Sequence, residues 1–182
     1  MRIISGLYKG FTIVDPNLET TRVSKERLRE GLFSALHLSI KDHSALDLFA
    51  GSGSMGFEAF SRGASRVVLV DANFACITAM NKTKKNLRVH GDEIEIVYGS
   101  YPFVLTRYSE PFGFVFLDPP YEVYNMLDII VDLLRHKAIN ANSTVIIEDT
   151  KHFSDDSLDI DETRTYKYGI NHVTILKGIA LK

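Results

Sequence analysis

Residues 44–56, SALDLFAGSGSMG, read as a strand, a tight loop and the start of a helix. A short apolar run closes on Asp47. Gly51, Gly53 and Gly56 follow at G-x-G-x-x-G spacing, and an apolar segment of helical character begins there. Glycine permits the positive φ that such a loop needs and lets a ligand approach the backbone closely. The spacing alone is a weak signal, because an empty strand-to-helix turn can share it. Its weight comes from what lies downstream: Asp71, and then Asp118-Pro119-Pro120-Tyr121.

Around this stretch the chain alternates. Short apolar runs at 45–48, 66–70, 94–98, 112–117 and 144–148 read as strands. Helical patterns at 55–62, 74–89 and 125–137, with a short one at 103–108, fall between them. The 74–89 helix is expected to turn Phe74, Ile77, Met80 and Leu87 inward, with Lys82, Lys84, Lys85 and Arg88 outward. Residues 163–168 and 172–177 around Gly169 read as a terminal hairpin. The pattern predicts an α/β, Rossmann-like fold: a mostly parallel sheet, helices on both faces and an antiparallel edge. The acidic stretch 151–162 reads as a loop. Ahead of the alternation, residues 2–14 read as a hairpin, and Ser24 is placed to cap a helix running to Leu36. Leu28, Leu32, Ala35 and Leu36 give that helix a buried face. The expected division is a 1–36 extension and a 37–182 main domain.

Bulk properties narrow the classes. A chain of 182 residues with 45% hydrophobic and 24% charged content suits one globular domain. The net charge of −2 means that any nucleic-acid partner must meet a local basic patch. Arg22, Lys25, Arg27 and Arg29 form such a patch, against only Glu26 and Glu30. A solvated helix face is the plainer reading; a phosphate-contacting arm is the functional one. A single cysteine, Cys76, leaves no intramolecular disulfide and no cysteine-based metal site. His90, His136 and His172 show no ligand spacing. With no signal peptide and no apolar run of membrane-spanning length, a soluble, cytoplasmic chain is expected.

The acids carry the chemistry. Asp71 lies twenty residues after Gly51, at the end of the second strand, where a carboxylate accepts ribose hydroxyls. A nucleoside-bearing cofactor follows. Dinucleotide folds set a pyrophosphate on the helix N-terminus. Here Asp47 would repel a pyrophosphate and favour a cationic group, such as the ammonium of a methionine moiety. That points to S-adenosyl-L-methionine. Asp118-Pro119-Pro120-Tyr121 ends the most apolar strand, because two prolines cannot extend a sheet. An exocyclic nucleobase amine is a poor nucleophile, its lone pair delocalised into the ring. The Asp118 carboxylate and a backbone carbonyl of the proline pair could each accept one N–H and free the lone pair, held rigid by the prolines. Tyr121 could stack on the base.

These residues together are similar to a known pattern. MRIISGLYKG at the start, Thr21-Arg22 with Arg27-Leu28-Arg29-Glu30 and Phe33, DLFAGSGSMGFEAFSRGA (47–64), FLDPPY (116–121) and Tyr168-Gly169 cover nearly the whole chain. They resemble the RsmD-like family, bacterial 16S rRNA guanine(966)-N2 methyltransferases. The resemblance implies a class I S-adenosylmethionine-dependent methyltransferase with a seven-stranded sheet. It implies S-adenosyl-L-methionine held by Asp47, Phe49, Gly51, Ser52, Gly53, Gly56 and Asp71. It implies Asp118, Pro119, Pro120 and Tyr121 as the catalytic element. The partner would be 16S rRNA in the assembling small ribosomal subunit, gripped by Arg22, Lys25, Arg27 and Arg29, with the enzyme a monomer. The chain departs from the family at Val23 and Ser24, where Pro and Thr are usual. It departs again at Ser100, where an Asp usually contacts the adenine amine; a hydroxyl would accept there without charge. Methylation of adenine in DNA or of glutamine in a protein shares the Asx-Pro-Pro-Tyr chemistry and stays open. So does a non-catalytic rRNA-binding assembly factor. A nucleotide-dependent oxidoreductase is disfavoured by Asp47 and the Asp-Pro-Pro-Tyr element.

Overall fold

The structure, a computed structural model, describes residues 1–16, 22–36, 40–120 and 122–182, with side chains undescribed for 22–26. The first helix, α1, spans Arg22–Leu36. The alternation then runs β1 (Ser44–Asp47), α2 (Ser54–Ser61), β2 (Arg66–Asp71), α3 (Phe74–Asn86) and β3 (Ile94–Tyr98). A 3-10 turn (Phe103–Arg107), β4 (Phe114–Leu117), α4 (Met126–Arg135) and β5 (Thr144–Asp149) follow, closed by β6 (Leu158–Tyr168) and β7 (Asn171–Leu181).

One seven-stranded sheet has the order β3-β2-β1-β4-β5-β7-β6. The first five strands pair parallel; β7 pairs antiparallel with both β5 and β6. The strand order reverses between β1 and β4. In an open sheet that reversal splays the following loops apart and leaves a crevice at the carboxyl ends. Buried residues fill both faces. One cluster joins Leu28, Leu32 and Phe33 of α1 to Phe57, Met80, Phe116 and Ile146. The other joins Ile129, Ile130 and Leu133 of α4 to Leu46, Val68, Val115 and Ile147. Asn73 caps α3 by accepting from Ala75 N at 2.9 Å, and Asn125 caps α4 by accepting from Leu127 N at 2.9 Å.

Several expectations are corrected. The N-terminal hairpin pairs at a single antiparallel bridge, Arg2 to Thr12, with Ile3 N to Phe11 O at 3.0 Å and Ile13 N to Met1 O at 2.9 Å on either side of it. Other donors of the segment go to α2: Ile4 N and Ser5 N to Glu58, and Tyr8 N to Ser61 Oγ. Ser24 lies inside α1 and is not its cap. Phe74 is 70% exposed, because the first turn of α3 stands beyond the sheet edge, where its ring meets Tyr98 edge-on. Cys76 takes the inward place in that turn. Residues 158–162 are strand, not loop. Leu158 is buried and the acids Asp159 and Asp161 alternate with it, the charge pattern of an edge strand that resists further pairing. Ile3, Ile13, Leu28, Leu32, Phe33 and Leu36 pack into the main core.

Candidate active site

The glycine loop is shaped by what each glycine must avoid. Gly51 and Gly53 have φ of 55° and 76°. A side chain at Gly56 would run into Leu69, so its absence lets α2 sit close on β2. A side chain at Gly51 would meet nothing within 4 Å; that surface opens into the cleft. The loop is tied to β2 by Ala50 N to Val70 O at 2.9 Å and Gly51 N to Asp71 Oδ2 at 2.7 Å.

Asp71 is half-buried, and its Oδ1 accepts from Asn73 N at 2.7 Å. Two backbone donors therefore fix it, one on each oxygen. Each carboxylate oxygen has a further lone pair for a ribose hydroxyl. Burial, with the Asp71 charge and a hydrogen bond to it, pushes the Cys76 thiol up to about 11. Asp47 is 5% exposed, and its Oδ2 accepts from Gly56 N at 3.1 Å. A side-chain carboxylate thus already occupies the positive end of α2. A phosphate placed there would meet Asp47; a cation would be welcomed.

Across the reversal, β4 delivers Asp118, half-buried, followed by buried Pro119 and exposed Pro120. The Pro120 carbonyl accepts from Val123 N at 2.9 Å and Tyr124 N at 3.3 Å, tightening the turn. Tyr121 lies outside the described residues. The cleft at these strand ends is lined by Asp47, Phe49, Gly51, Ser52 and Asp118, with Glu148 from β5 and Met1 and Asp15 from the N-terminal segment. An adjoining recess brings Leu28 and Leu32 of α1 to the same three acids, Asp47, Asp118 and Glu148. Gly53 and Gly56 do not line the cleft; they shape the start of α2. Ser100 stands by Asp71, because Gly99 N donates to Asp71 O at 3.1 Å.

Three rings bridge the two halves. Phe49 lies 6.0 Å from Tyr101 and 5.5 Å from Tyr124, and Tyr101 lies 5.3 Å from Tyr124. They come from the glycine loop, the loop after β3 and the turn after Pro120. Tyr101 donates to Asp132 of α4 at 2.7 Å, and burial with that acid raises its phenol well above the usual range.

The basic arm divides. Arg27 is exposed. The side chains of Arg22 and Lys25 lie outside the described residues. Arg29 is corrected: it is 1% exposed and faces inward. Its Nη2 donates to Arg2 O at 2.6 Å, its Nη1 lies 2.8 Å from Met1 Sδ, and its Nε stands 3.7 Å from Glu58 Oε2. Glu58, itself fully buried, also accepts from Ile4 N at 2.7 Å and from Arg62 Nε at 2.8 Å. Arg29 thus fastens the N-terminal segment to α1, because a buried guanidinium needs a carboxylate and carbonyls around it.

The sequence reading passed over Glu148 and Tyr124. The signal for Glu148 was present: TVIIE repeats the apolar-strand-then-acid pattern of Asp47, Asp71 and Asp118. Tyr124 carries no such signal. Among the described residues, no group of three or more His, Cys, Asp and Glu side chains is arranged to hold a metal ion. The donor set fits S-adenosylmethionine: an open glycine surface, a ribose-type carboxylate at Asp71 and a buried carboxylate at Asp47 for a cationic end.

The comparisons with known proteins agree with this geometry. The family model described as Conserved hypothetical protein 95 matches residues 1–177. The chain is 32% identical over 154 residues to the ribosomal RNA small subunit methyltransferase D of Haemophilus influenzae, covering 83% of this chain and 79% of that one. It is 35% identical over 150 residues to the Buchnera aphidicola protein of the same name, covering 82% and 78%. The solved structure of Escherichia coli yhhF is similar with a TM-score of 0.81 at 25% identity, over 98% of this chain and 97% of that one. The sheet is that of class I S-adenosylmethionine-dependent methyltransferases. With fold, cleft and sequence in agreement, the chain belongs to the family of the ribosomal RNA small subunit methyltransferase D proteins.

Proposed function

We propose that this chain transfers a methyl group from S-adenosyl-L-methionine to the exocyclic N2 amine of a guanine in 16S rRNA, within the assembling small ribosomal subunit. The observation that carries the reading is the shared cleft. Asp47 there occupies the start of α2, and Asp118 stands on a proline-locked strand end. When bound, S-adenosylmethionine supplies an electrophilic methyl on a sulfonium. Asp71 holds the ribose hydroxyls, Ser100 accepts from the adenine amine, and Gly51, Ser52 and Phe49 wall the methionine end beside Asp47. A solved structure of the same broad fold, SMU.776, described as a putative methyltransferase complexed with SAH, is 13% identical with a TM-score of 0.61, which supports that donor.

Asp118 Oδ accepts one N–H of the guanine amine. Pro120 O is already engaged by two backbone donors, so the second acceptor is the Pro119 carbonyl. The nitrogen lone pair, freed from the ring, then lines up with the methyl, and positioning supplies much of the rate. Asp47, Gly51 and Ser52 would hold the sulfonium beside that nitrogen, which would take its methyl with the thioether as leaving group. The surplus proton leaves to Asp118 or to water. Tyr121 stacks on the base. Arg22, Lys25 and Arg27 of α1 contact RNA phosphates, within a 1–36 extension that serves the substrate. The enzyme acts in the cytoplasm as a monomer.

The test offers labelled methyl donor with unmodified small subunits, naked rRNA, DNA and a protein lysate. Label on guanine N2 of 16S rRNA is expected. Label confined to DNA or protein would overturn the reading.

A further inference from the structure

We propose that Glu148 is the residue by which this site distinguishes guanine from adenine, by accepting the N1–H of the target base. The proposal rests on the guanine-N2 reading above and concerns the same cleft.

Sheet register places the residue. Asp47 pairs with Phe116, and Phe116 with Ile146. Residues in register project to one face, and so do residues two further along each strand. Asp118 lies two past Phe116, and Glu148 two past Ile146. The three carboxylates therefore stand on one face of adjacent strand ends, and all three line the cleft. Glu148 is 5% exposed. Asn171, at the start of β7, donates its Nδ2 to Glu148 Oε1 at 2.9 Å and holds the carboxylate in one orientation.

The chemistry then separates the bases. Guanine carries N1–H beside its N2 amine. Adenine carries an unprotonated N1, an acceptor, beside its N6 amine. Asp118 and the Pro119 carbonyl bind two amine hydrogens, which both bases offer, so those two acceptors cannot tell them apart. A third acceptor at the neighbouring ring position can. Glu148 pairs with the guanine N1–H and repels the lone pair of adenine. A site built around such a hydrogen bond discriminates strongly against a base that lacks it.

The experiment uses the full chain and small-subunit rRNA carrying either guanosine or 1-methylguanosine at the nucleotide that the wild-type protein labels. The wild type should transfer methyl to guanosine RNA and lose about a hundredfold in kcat/KM on 1-methylguanosine RNA. E148Q should lose about a hundredfold on guanosine RNA, with the Kd for S-adenosylmethionine and the Tm unchanged. E148A, with the carboxylate gone, should treat the two RNAs within about threefold of each other. Equal wild-type rates on both RNAs would overturn the proposal without any variant. So would an E148Q protein as active as wild type. Wild-type label absent from guanine N2 would instead sink the underlying reading, and that outcome is visible before any variant is made.

Discussion

Asp71, at the end of β2, accepts a backbone N–H on each of its oxygens, from Gly51 and from Asn73. Asp118, one residue past β4, stands on a Pro-Pro turn and shares its cleft with Asp47 and Glu148. The first acid is fixed by amides that satisfy its charge before any ligand arrives. The second is fixed by proline geometry among groups of its own sign. An acid held by an amide at each oxygen keeps one orientation and suits recognition of hydroxyls through its remaining lone pairs. An acid on a rigid proline turn presents its acceptor oxygens at a fixed place, which suits orienting a reacting amine. The β1–β2 side, at Asp71, is thus suited to binding, and the β4–β5 side, at Asp118 in the cleft, to chemistry.

Removing the chemical end should do the most. Asp118→Ala is expected to lower kcat about a thousandfold, as loss of a preorganised partner to the reacting group does. Retained turnover, measured at saturating RNA and methyl donor, would collapse the division. Next comes the bridge between the ends. Tyr124→Ala breaks the contacts with Phe49 and Tyr101, pairs worth about 0.5–1.5 kcal/mol each, and should cost about tenfold in kcat. Tyr124→Phe keeps the ring and should restore the rate. If both variants match wild type, the rings are packing only.

Smaller effects lie outside the cleft. Arg27→Glu should raise KM for RNA a few-fold and make the salt dependence of binding shallower by about one phosphate contact. An unchanged slope would return this exposed arginine to a solvated face. Cys76 beneath Asp71 gives a pH signature. Its thiol is raised from 9.0 to about 11, so below pH 9 both folded and unfolded chains hold the proton. Between pH 9 and 11 the unfolded chain ionises first, and stability falls as pH rises through that window. Denaturant titrations of Cys76→Ala should show a shallower decline there than the wild type, whose tyrosines contribute only above about pH 10.

Much of the fold was legible because β1, β2, β4 and β5 are apolar on both faces and the glycines fall where the backbone must turn sharply. The first part of β6, 158–162, was not, because its acids alternate with Leu158 and Ile160, and charge in sequence looks the same in an edge strand as in a loop. Arg29 was misread for a related reason: a count of cations does not say which side of a helix each one faces. The acids Asp47, Asp71 and Asp118 could be picked out one by one. That Asp47, Asp118 and Glu148 share a face could not, since it depends on strand order and register, which no single strand encodes. The aromatic bridge is still less visible; its three rings meet only once the loops after β1, β3 and β4 converge.

The central claim, that the β1–β2 side binds and the β4–β5 side reacts, is tested most directly by calorimetric titration of S-adenosylmethionine into wild type, Asp71→Ala and Asp118→Ala. Loss of the ribose carboxylate should raise Kd by about ten- to a hundredfold, the worth of charge-assisted hydrogen bonds at about 1.5–3 kcal/mol. Asp118→Ala should bind within about twofold of wild type, since the proposed function assigns Asp118 to the amine of the substrate and not to the methyl donor. Equal weakening in both variants, or weakening in Asp118→Ala alone, would contradict the account.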